Sequence, residues 1–200
     1  DSLRLSYQQS GVSGQLQIGI NENDKIQLTN FDPNDAYGTH AIETFQFADG
    51  TSLTYSQLID KGFDLTGASG DDIINGTNVI DRITALEGND TINAGAGDDV
   101  VDSGVGDDTI YAGDGNDTIV AGDGNDIIDG GIGADAMTGG TGNDTLDGGS
   151  GDDTYTYNAG DGLDTLNDST GIDTISMGAG LDFDHTIIRI EQGVAHLRLL

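Results

Sequence analysis

Ala112-Gly113-Asp114-Gly115-Asn116-Asp117-Thr118-Ile119-Val120 is followed at once by Ala121-Gly122-Asp123-Gly124-Asn125-Asp126-Ile127-Ile128-Asp129, and the likeness of these two nonamers decides the fold. Written in rows of nine, the chain keeps this phase without a break from Ala85 to Thr156: ALEGNDTIN, AGAGDDVVD, SGVGDDTIY, AGDGNDTIV, AGDGNDIID, GGIGADAMT, GGTGNDTLD and GGSGDDTYT. GASGDDIIN from Gly67 and a degraded GTNVIDRIT from Gly76 precede them. Tyr157 and Asn158 then interrupt the frame, and AGDGLDTLN from Ala159 and DSTGIDTIS from Asp168 resume it. Column six is Asp in every row: Asp72, Asp81, Asp90, Asp99, Asp108, Asp117, Asp126, Asp135, Asp144, Asp153, Asp164 and Asp173. Column eight is apolar throughout the first ten rows, from Ile74 to Tyr155.

The phase matters because composition alone points elsewhere. The 200 residues hold 36 acidic side chains against six Lys+Arg, a net charge of -30, and only 34% are hydrophobic. Such a chain ordinarily buries too little surface to offset its backbone entropy and stays disordered. Disordered acidic tracts, however, keep no fixed phase among acid, glycine and apolar residues. From Gly67 to Ser176 there are 23 Asp and one Glu against the single base Arg82, so most of the charge lies inside the repeat. This excess excludes a nucleic-acid or anionic-membrane surface and favours cations as partners. With no Cys, neither a disulfide framework nor a thiolate metal site is available. No stretch approaches the roughly 20 apolar residues of a membrane span, so stable insertion is not expected. A start at Asp1, with no initiator Met or signal-like run, suggests an excised fragment.

Glycine dominates columns two and four, so columns one to six read as a turn, and columns seven to nine as a three-residue strand with its middle side chain inward. Turns at both ends stack such strands into two facing parallel sheets, two rows per coil. One inward aliphatic per row, at roughly 1.5 to 3 kcal/mol, does not balance nine backbones at about 1 to 2 kcal/mol each. The missing stabilisation lies in the turns, where column-six carboxylates and glycine-loop carbonyls two rows apart form a hard-oxygen cage suited to Ca²⁺ rather than to Mg²⁺, which demands near-octahedral ligands. One edge stacks the turns ending at Asp72, Asp90, Asp108, Asp126 and Asp144, the other those ending at Asp81, Asp99, Asp117, Asp135 and Asp153. Ten turns leave at most eight gaps. Thr77, Val79 and Leu86 stand where glycines belong, which predicts weaker sites at that end and the best ones between Gly95 and Asp153.

These rows resemble the GGxGxDxUx nonapeptide of the RTX (repeats-in-toxin) hemolysin-type calcium-binding proteins. The resemblance covers Gly67 to Ser176 and implies an all-β fold, a right-handed parallel β-roll with six to eight Ca²⁺ between its turns. It implies a secreted or cell-surface bacterial protein exported by type I secretion machinery. It also implies that each ion is held by a column-six Asp pair plus carbonyls from columns one and three of one turn and two and four of its neighbour. Gly113, Gly115 and Asp117 would then face Gly130, Ile132 and Asp135, and Gly122, Gly124 and Asp126 would face Gly139, Thr141 and Asp144. By the same pattern Gly95, Gly97 and Asp99, Gly104, Gly106 and Asp108, and Gly148, Ser150 and Asp153 contribute, with Asp72, Asp90, Asp164 and Asp173 at the remaining turns. The column-five residues Asp71, Asp98, Asp107 and Asp152 are expected to be solvated charges.

Residues 1–66 and 177–200 differ in texture and are expected to form β-rich flanks that cover the open ends of a roll spanning 67–176. Residues 41–51 suggest a strand closed by an Asp49-Gly50 turn, Tyr55 to Asp60 a short helix, and Gln192-Gly193 a turn between two strands. Arg4-Leu5-Ser6 through Leu16-Gln17-Ile18 parallels Arg189-Ile190-Glu191 through Leu197-Arg198-Leu199, so the C-terminal flank reads as a truncated second copy of the first, a β-segment like those that accompany RTX arrays. His40, His185 and His196 have no zinc-protease spacing, and no nucleophile elbow or phosphate-loop lysine occurs, so no catalytic residue is assigned. The alternatives are an adhesive module in which the roll is a spacer and the flanks bind a host-surface receptor or glycan, and the carrier tail of a secreted hydrolase. The column-seven threonines suit exposed strands without further function.

Overall fold

The computed structural model describes residues 3–10, 13–19, 25–38, 40, 42–178, 181, 186–191 and 194–199. The N-terminal segment forms β1 (Arg4–Ser10), β2 (Ser13–Gly19), β3 (Lys25–Phe31), a single 3-10 turn at Pro33–Asp35, the pair β4 (Thr44–Gln46) and β5 (Ser52–Thr54), helix α1 (Tyr55–Ile59) and β6 (Phe63–Thr66). The first four repeat strands are β7 (Ile73–Thr77), β8 (Asp81–Thr84), β9 (Thr91–Ala96) and β10 (Val100–Val105). They are followed by β11 (Thr109–Asp114), β12 (Thr118–Asp123), β13 (Ile127–Ile132), β14 (Ala136–Thr141) and β15 (Thr145–Ser150). The series ends with β16 (Thr154–Tyr157), β17 (Leu163–Asn167) and β18 (Thr174–Met177), before β19 (Thr186–Glu191) and β20 (Val194–Leu199). The short helix and the β4/β5 pair with its turn at Asp49-Gly50 match the sequence reading; Thr54 and Gln57 close a capping box around α1. The Gln192-Gly193 turn lies outside the described residues, as does His185.

Strands alternate between two parallel sheets, and the fold is an all-β solenoid of about six turns. Each residue pairs with the one 18 positions on, as in Ile119 with Met137 and Ile110 with Ile128. The Tyr157-Asn158 insertion lengthens the spacing to 20, as in Tyr155 with Ile175, without disturbing the stack. Asn158 absorbs it by donating its N–H to the Asp161 carboxylate, while the Asp161 carbonyl accepts the Gly142 N–H.

The strands are longer than the sequence suggested. In the middle of the roll each has six residues, columns seven to nine plus one to three of the next row, so the turn proper is columns four to six. A strand therefore has two inward positions, as the buried Ile119 and Ala121 of β12 show. Column one holds Ala85, Ala94, Ser103, Ala112 and Ala121, all buried, beside the buried column-eight residues Ile83, Ile92, Val101, Ile110, Ile119, Ile128, Met137 and Leu146. These column-one side chains are small, and their weak hydrophobic signal hid the second inward position in a turn-like context.

Glycine is required twice per turn. Gly113 (φ +113°) and Gly115 (φ +143°) adopt conformations costly for other residues, and a Cβ on either would overlap the carbonyl of Gly95 or Gly97 in the turn below. Leu86 stands in the equivalent column-two position at φ +87°, the one described non-glycine residue with positive φ.

Each flank adds strands to one sheet, and the N-terminal flank also reaches the second, where the Asn78 N–H just past β7 donates to the Pro33 carbonyl and Asn78 Oδ1 accepts the Ala36 N–H. In the first sheet, β6 pairs in parallel with β8, β1 joins β6 in parallel, and β2 and β3 continue antiparallel. In the second, β20 pairs antiparallel with β17 and β19 lies outside it. The two hairpins thus dock differently, through the first strand at one end and the second at the other. Leu5, Leu16, Ile18, Phe31, Leu58, Ile59 and Phe63 are buried and join the same core. His40 stacks on Tyr55, with ring centroids 3.9 Å apart, and lies 3.0 Å from Glu43.

Candidate metal centre

Column six sits where the chain enters each strand, and stacking aligns its side chains in two ladders. The N–H of each Asp donates to Oδ1 of the next along its edge: Asp72 to Asp90, Asp90 to Asp108, Asp108 to Asp126, Asp126 to Asp144 and Asp144 to Asp164, at 2.7 to 3.0 Å. The other edge runs Asp81, Asp99, Asp117, Asp135, Asp153 and Asp173 at 2.7 to 3.1 Å. The two edges are those read from the sequence, and Asp164 and Asp173 continue them across the insertion.

Oδ1 is thereby satisfied and Oδ2 is not. Asp90, Asp99, Asp108, Asp117, Asp126, Asp135, Asp144 and Asp153 are at most 2% exposed, and Oδ2 of each is buried with no hydrogen-bond partner. Burial without a counterion disfavours the charged form of a carboxyl. Desolvation, reinforced by neighbouring Asp side chains, brings Asp99 to about 8 and Asp126 to about 7. Desolvation likewise brings Asp117, Asp135, Asp144 and Asp164 to about 6, and it raises Asp108 and Asp153. A row of buried anionic oxygens lacking donors requires protons or cations.

The first two turns differ. Asp72 Oδ2 accepts the N–H of Ala68, and Asp81 Oδ2 accepts both the N–H and the hydroxyl of Thr77. Where column two is glycine at positive φ this donor is turned away; where it is Ala or Thr, the turn satisfies one carboxylate oxygen itself, although Asp81 Oδ1 stays buried without a partner and burial raises Asp81 to about 7. Ala68 and Thr77 replace the column-two glycine in these turns, so the occupied Oδ2 has a local cause; Leu86, which also replaces it, keeps a glycine-like positive φ and leaves Asp90 Oδ2 without a partner.

The carbonyls of Gly95, Gly97, Gly104, Gly106, Gly113, Gly115, Gly122 and Gly124 point along the stack, each toward the glycine 18 positions on. Among the column-three residues, Ile132, Thr141 and Ser150 accept N–H groups from Gly115, Gly124 and Gly133 at 2.8 Å, leaving one lone pair free. Gly130, Gly139 and Gly148 lie against Oδ2 of Asp135, Asp144 and Asp153, where a Cβ would collide. Column five is exposed as expected, but its side chains also bind the stack: Asn89, Asn116 and Asn125 donate backbone N–H to Asp71, Asp98 and Asp107, and Ile172 to Asp152, at 2.8 to 2.9 Å.

Two family matches agree with this geometry. The RTX calcium-binding nonapeptide repeat matches residues 75–110, 102–137 and 129–163, and the haemolysin-type calcium binding protein related domain matches residues 16–57. The chain belongs to the RTX hemolysin-type calcium-binding repeat proteins. Its repeat region is a calcium-binding β-roll, a class that is typically structural or binding rather than catalytic. No curated protein matches the chain. Among the described residues, no helix is long and apolar enough to cross a membrane.

Proposed function

We propose that the chain is a non-catalytic module of a large secreted or surface bacterial protein that stays unfolded during type I export and folds when it meets extracellular calcium. The observation that carries this reading is the double ladder of buried, donorless Oδ2 atoms. Ca²⁺ fits this donor set, because it accepts six to eight oxygens in flexible geometry. The ligands are the column-six carboxylates, with carbonyls of columns two and four, and of one and three, from adjacent turns. Six to eight ions fill the gaps best supplied with glycine, between Gly95 and Asp173. Calcium neutralises the ladders when bound, so its binding energy becomes folding energy. Millimolar calcium outside the cell exceeds the roughly 10⁻⁴ to 10⁻³ M affinity of extracellular sites.

The test is a calcium titration followed by circular dichroism. The expected result is a coil-like spectrum in EGTA, a cooperative rise in β content with calcium, and no equivalent response to Mg²⁺. The same β spectrum in EGTA and in saturating calcium overturns the reading.

A further inference from the structure

The last row departs from the others in column one. Every other row carries Gly, Ala or Ser there, whereas the row beginning at 168 carries Asp. We propose that Asp153, Asp168 and Asp173 form a three-carboxylate cation site at the C-terminal end of the roll, with Asp168 adding a side-chain ligand where the other turns have none. The proposal rests on the calcium reading above and extends it to a side chain outside the repeat's ligand pattern.

Three observations converge. A carboxylate oxygen from each of the three residues lies within 4.8 Å of those of the other two. Asp153 is 1% exposed, its Oδ1 takes the Asp135 N–H at 2.8 Å, and its Oδ2 is buried without a partner. That oxygen faces the cluster: a Cβ on Gly148 would collide with both Asp153 Oδ2 and the Tyr155 hydroxyl, and this hydroxyl lies 2.7 Å from Asp168 Oδ2. The described ion pairs involve Arg4, His40 and Arg82, so none neutralises this group.

Tyr155 positions the added ligand. It replaces the column-eight aliphatic, buries its ring, and accepts the Gly148 N–H at 2.8 Å. Its hydroxyl has two acceptors, Asp168 Oδ2 at 2.7 Å and the Asn167 carbonyl at 2.8 Å, and this pair of contacts holds the Asp168 carboxylate beside Asp153 and leaves Asp168 Oδ1 for an ion. The Asp153 N–H meanwhile holds Asp173 Oδ1 at 3.1 Å. Three carboxylates, against two per regular gap, favour a more highly charged ion, because calcium sites are tuned by ligand charge.

Terbium reports the site directly, because a tyrosine beside the ion sensitises its emission and the chain has no Trp. Wild-type protein titrated with Tb³⁺ under tyrosine excitation is expected to emit, with most of the signal lost in Tyr155→Phe and kept in Tyr111→Phe. Absence of tyrosine-sensitised emission from wild type overturns the proposal without reference to any variant. Asp168→Asn and Asp168→Ala, the latter restoring an ordinary column-one residue, are expected to bind one fewer Ca²⁺ by calorimetry or to weaken one site by at least about tenfold. Unchanged ion count and affinity in both variants, while wild type still folds with calcium, overturns this site and leaves the module's function standing. A wild type that shows no calcium-dependent folding overturns the underlying reading instead.

Discussion

The N–H of Asp117 donates to Oδ1 of Asp135 at 2.8 Å, and the second oxygen of Asp135 is left buried with no partner. One carboxylate therefore has two unlike roles, a backbone clamp between turns and an uncompensated anionic site between them. Repeated along both edges, the clamp fixes the register of the stack, and the uncompensated oxygens make that register costly without a counterion. Asp126→Asn keeps an acceptor for the clamp but removes the charge. It is expected to weaken calcium-dependent folding by about tenfold in midpoint. Asp71→Asn, at an exposed position, is expected to leave the midpoint within about 0.5 kcal/mol of wild type. Parallel calcium titrations of the two variants check the contrast, and equal midpoints would count against the ligand assignment.

Proton linkage gives a second test. Burial raises Asp99 to about 8, Asp126 to about 7, and Asp117, Asp135 and Asp144 to about 6. A carboxyl raised on folding binds protons more tightly in the roll than in the unfolded chain, so protonation favours the metal-free roll. That contribution is complete below about pH 4, the ordinary carboxyl range, and is lost as pH rises through 6 to 8. In EGTA, β content is therefore expected to rise as pH falls from 8 to 5. Protons and calcium both stabilise the roll at these oxygens while the unfolded carboxyls stay ionised, so the calcium folding midpoint is expected to move to lower concentration over that interval, with fewer ions bound per folded chain. Metal-free β content and a calcium midpoint that are both independent of pH would be inconsistent with carboxyls raised by burial in the roll.

Glycine substitutions separate conformational strain from steric stacking. Gly115 has φ +143° and the Gly97 carbonyl against its Cα; Gly160 has φ +104° and open space. Gly160→Ala is expected to cost about 1–2 kcal/mol, the penalty of a left-handed conformation. Gly115→Ala adds displacement of a neighbouring turn and is expected to cost clearly more, with a correspondingly higher calcium midpoint. Chemical denaturation in saturating calcium measures both. Equal losses would mean that the close approach of the turns is not what selects glycine.

The ladders and the alternation of sheets were legible in the sequence because a nine-residue period leaves one arrangement for Asp117, Asp135 and Ile119. The inner half of the core was not. Ala112 and Ala121 carry little hydrophobic signal, so column one read as turn, although it is the second inward position of a six-residue strand. The pairing of Asp81 Oδ2 was half visible: Thr77 marked a degraded turn, but its donation to that oxygen depends on a backbone orientation that only the folded turn supplies. Asp168 was passed over for a related reason. Its column supplies a carbonyl but no side-chain ligand in the repeat, and its nearness to Asp153 arises from the stack and from Tyr155.

The two inward columns make a final prediction about what calcium works against. Ile119 and Ala121 are at most 1% exposed on the same strand, whereas Val120 between them is 43% exposed. Ile119→Ala is expected to cost about 2–5 kcal/mol, since a dense core relaxes little around a cavity. Ala121→Leu is expected to cost about 1–3 kcal/mol by overpacking a fully buried position. Val120→Ala is expected to fall within about 0.5 kcal/mol of wild type. Folding and binding are one event in this reading, so each loss reappears as a calcium midpoint raised about tenfold for every 1.4 kcal/mol, shared among the ions bound on folding. The check is a plot of calcium midpoint against denaturation stability for the three variants. A core variant that loses stability in saturating calcium while keeping the wild-type midpoint would break the coupling, because a preformed roll binds calcium with an affinity that does not depend on its core.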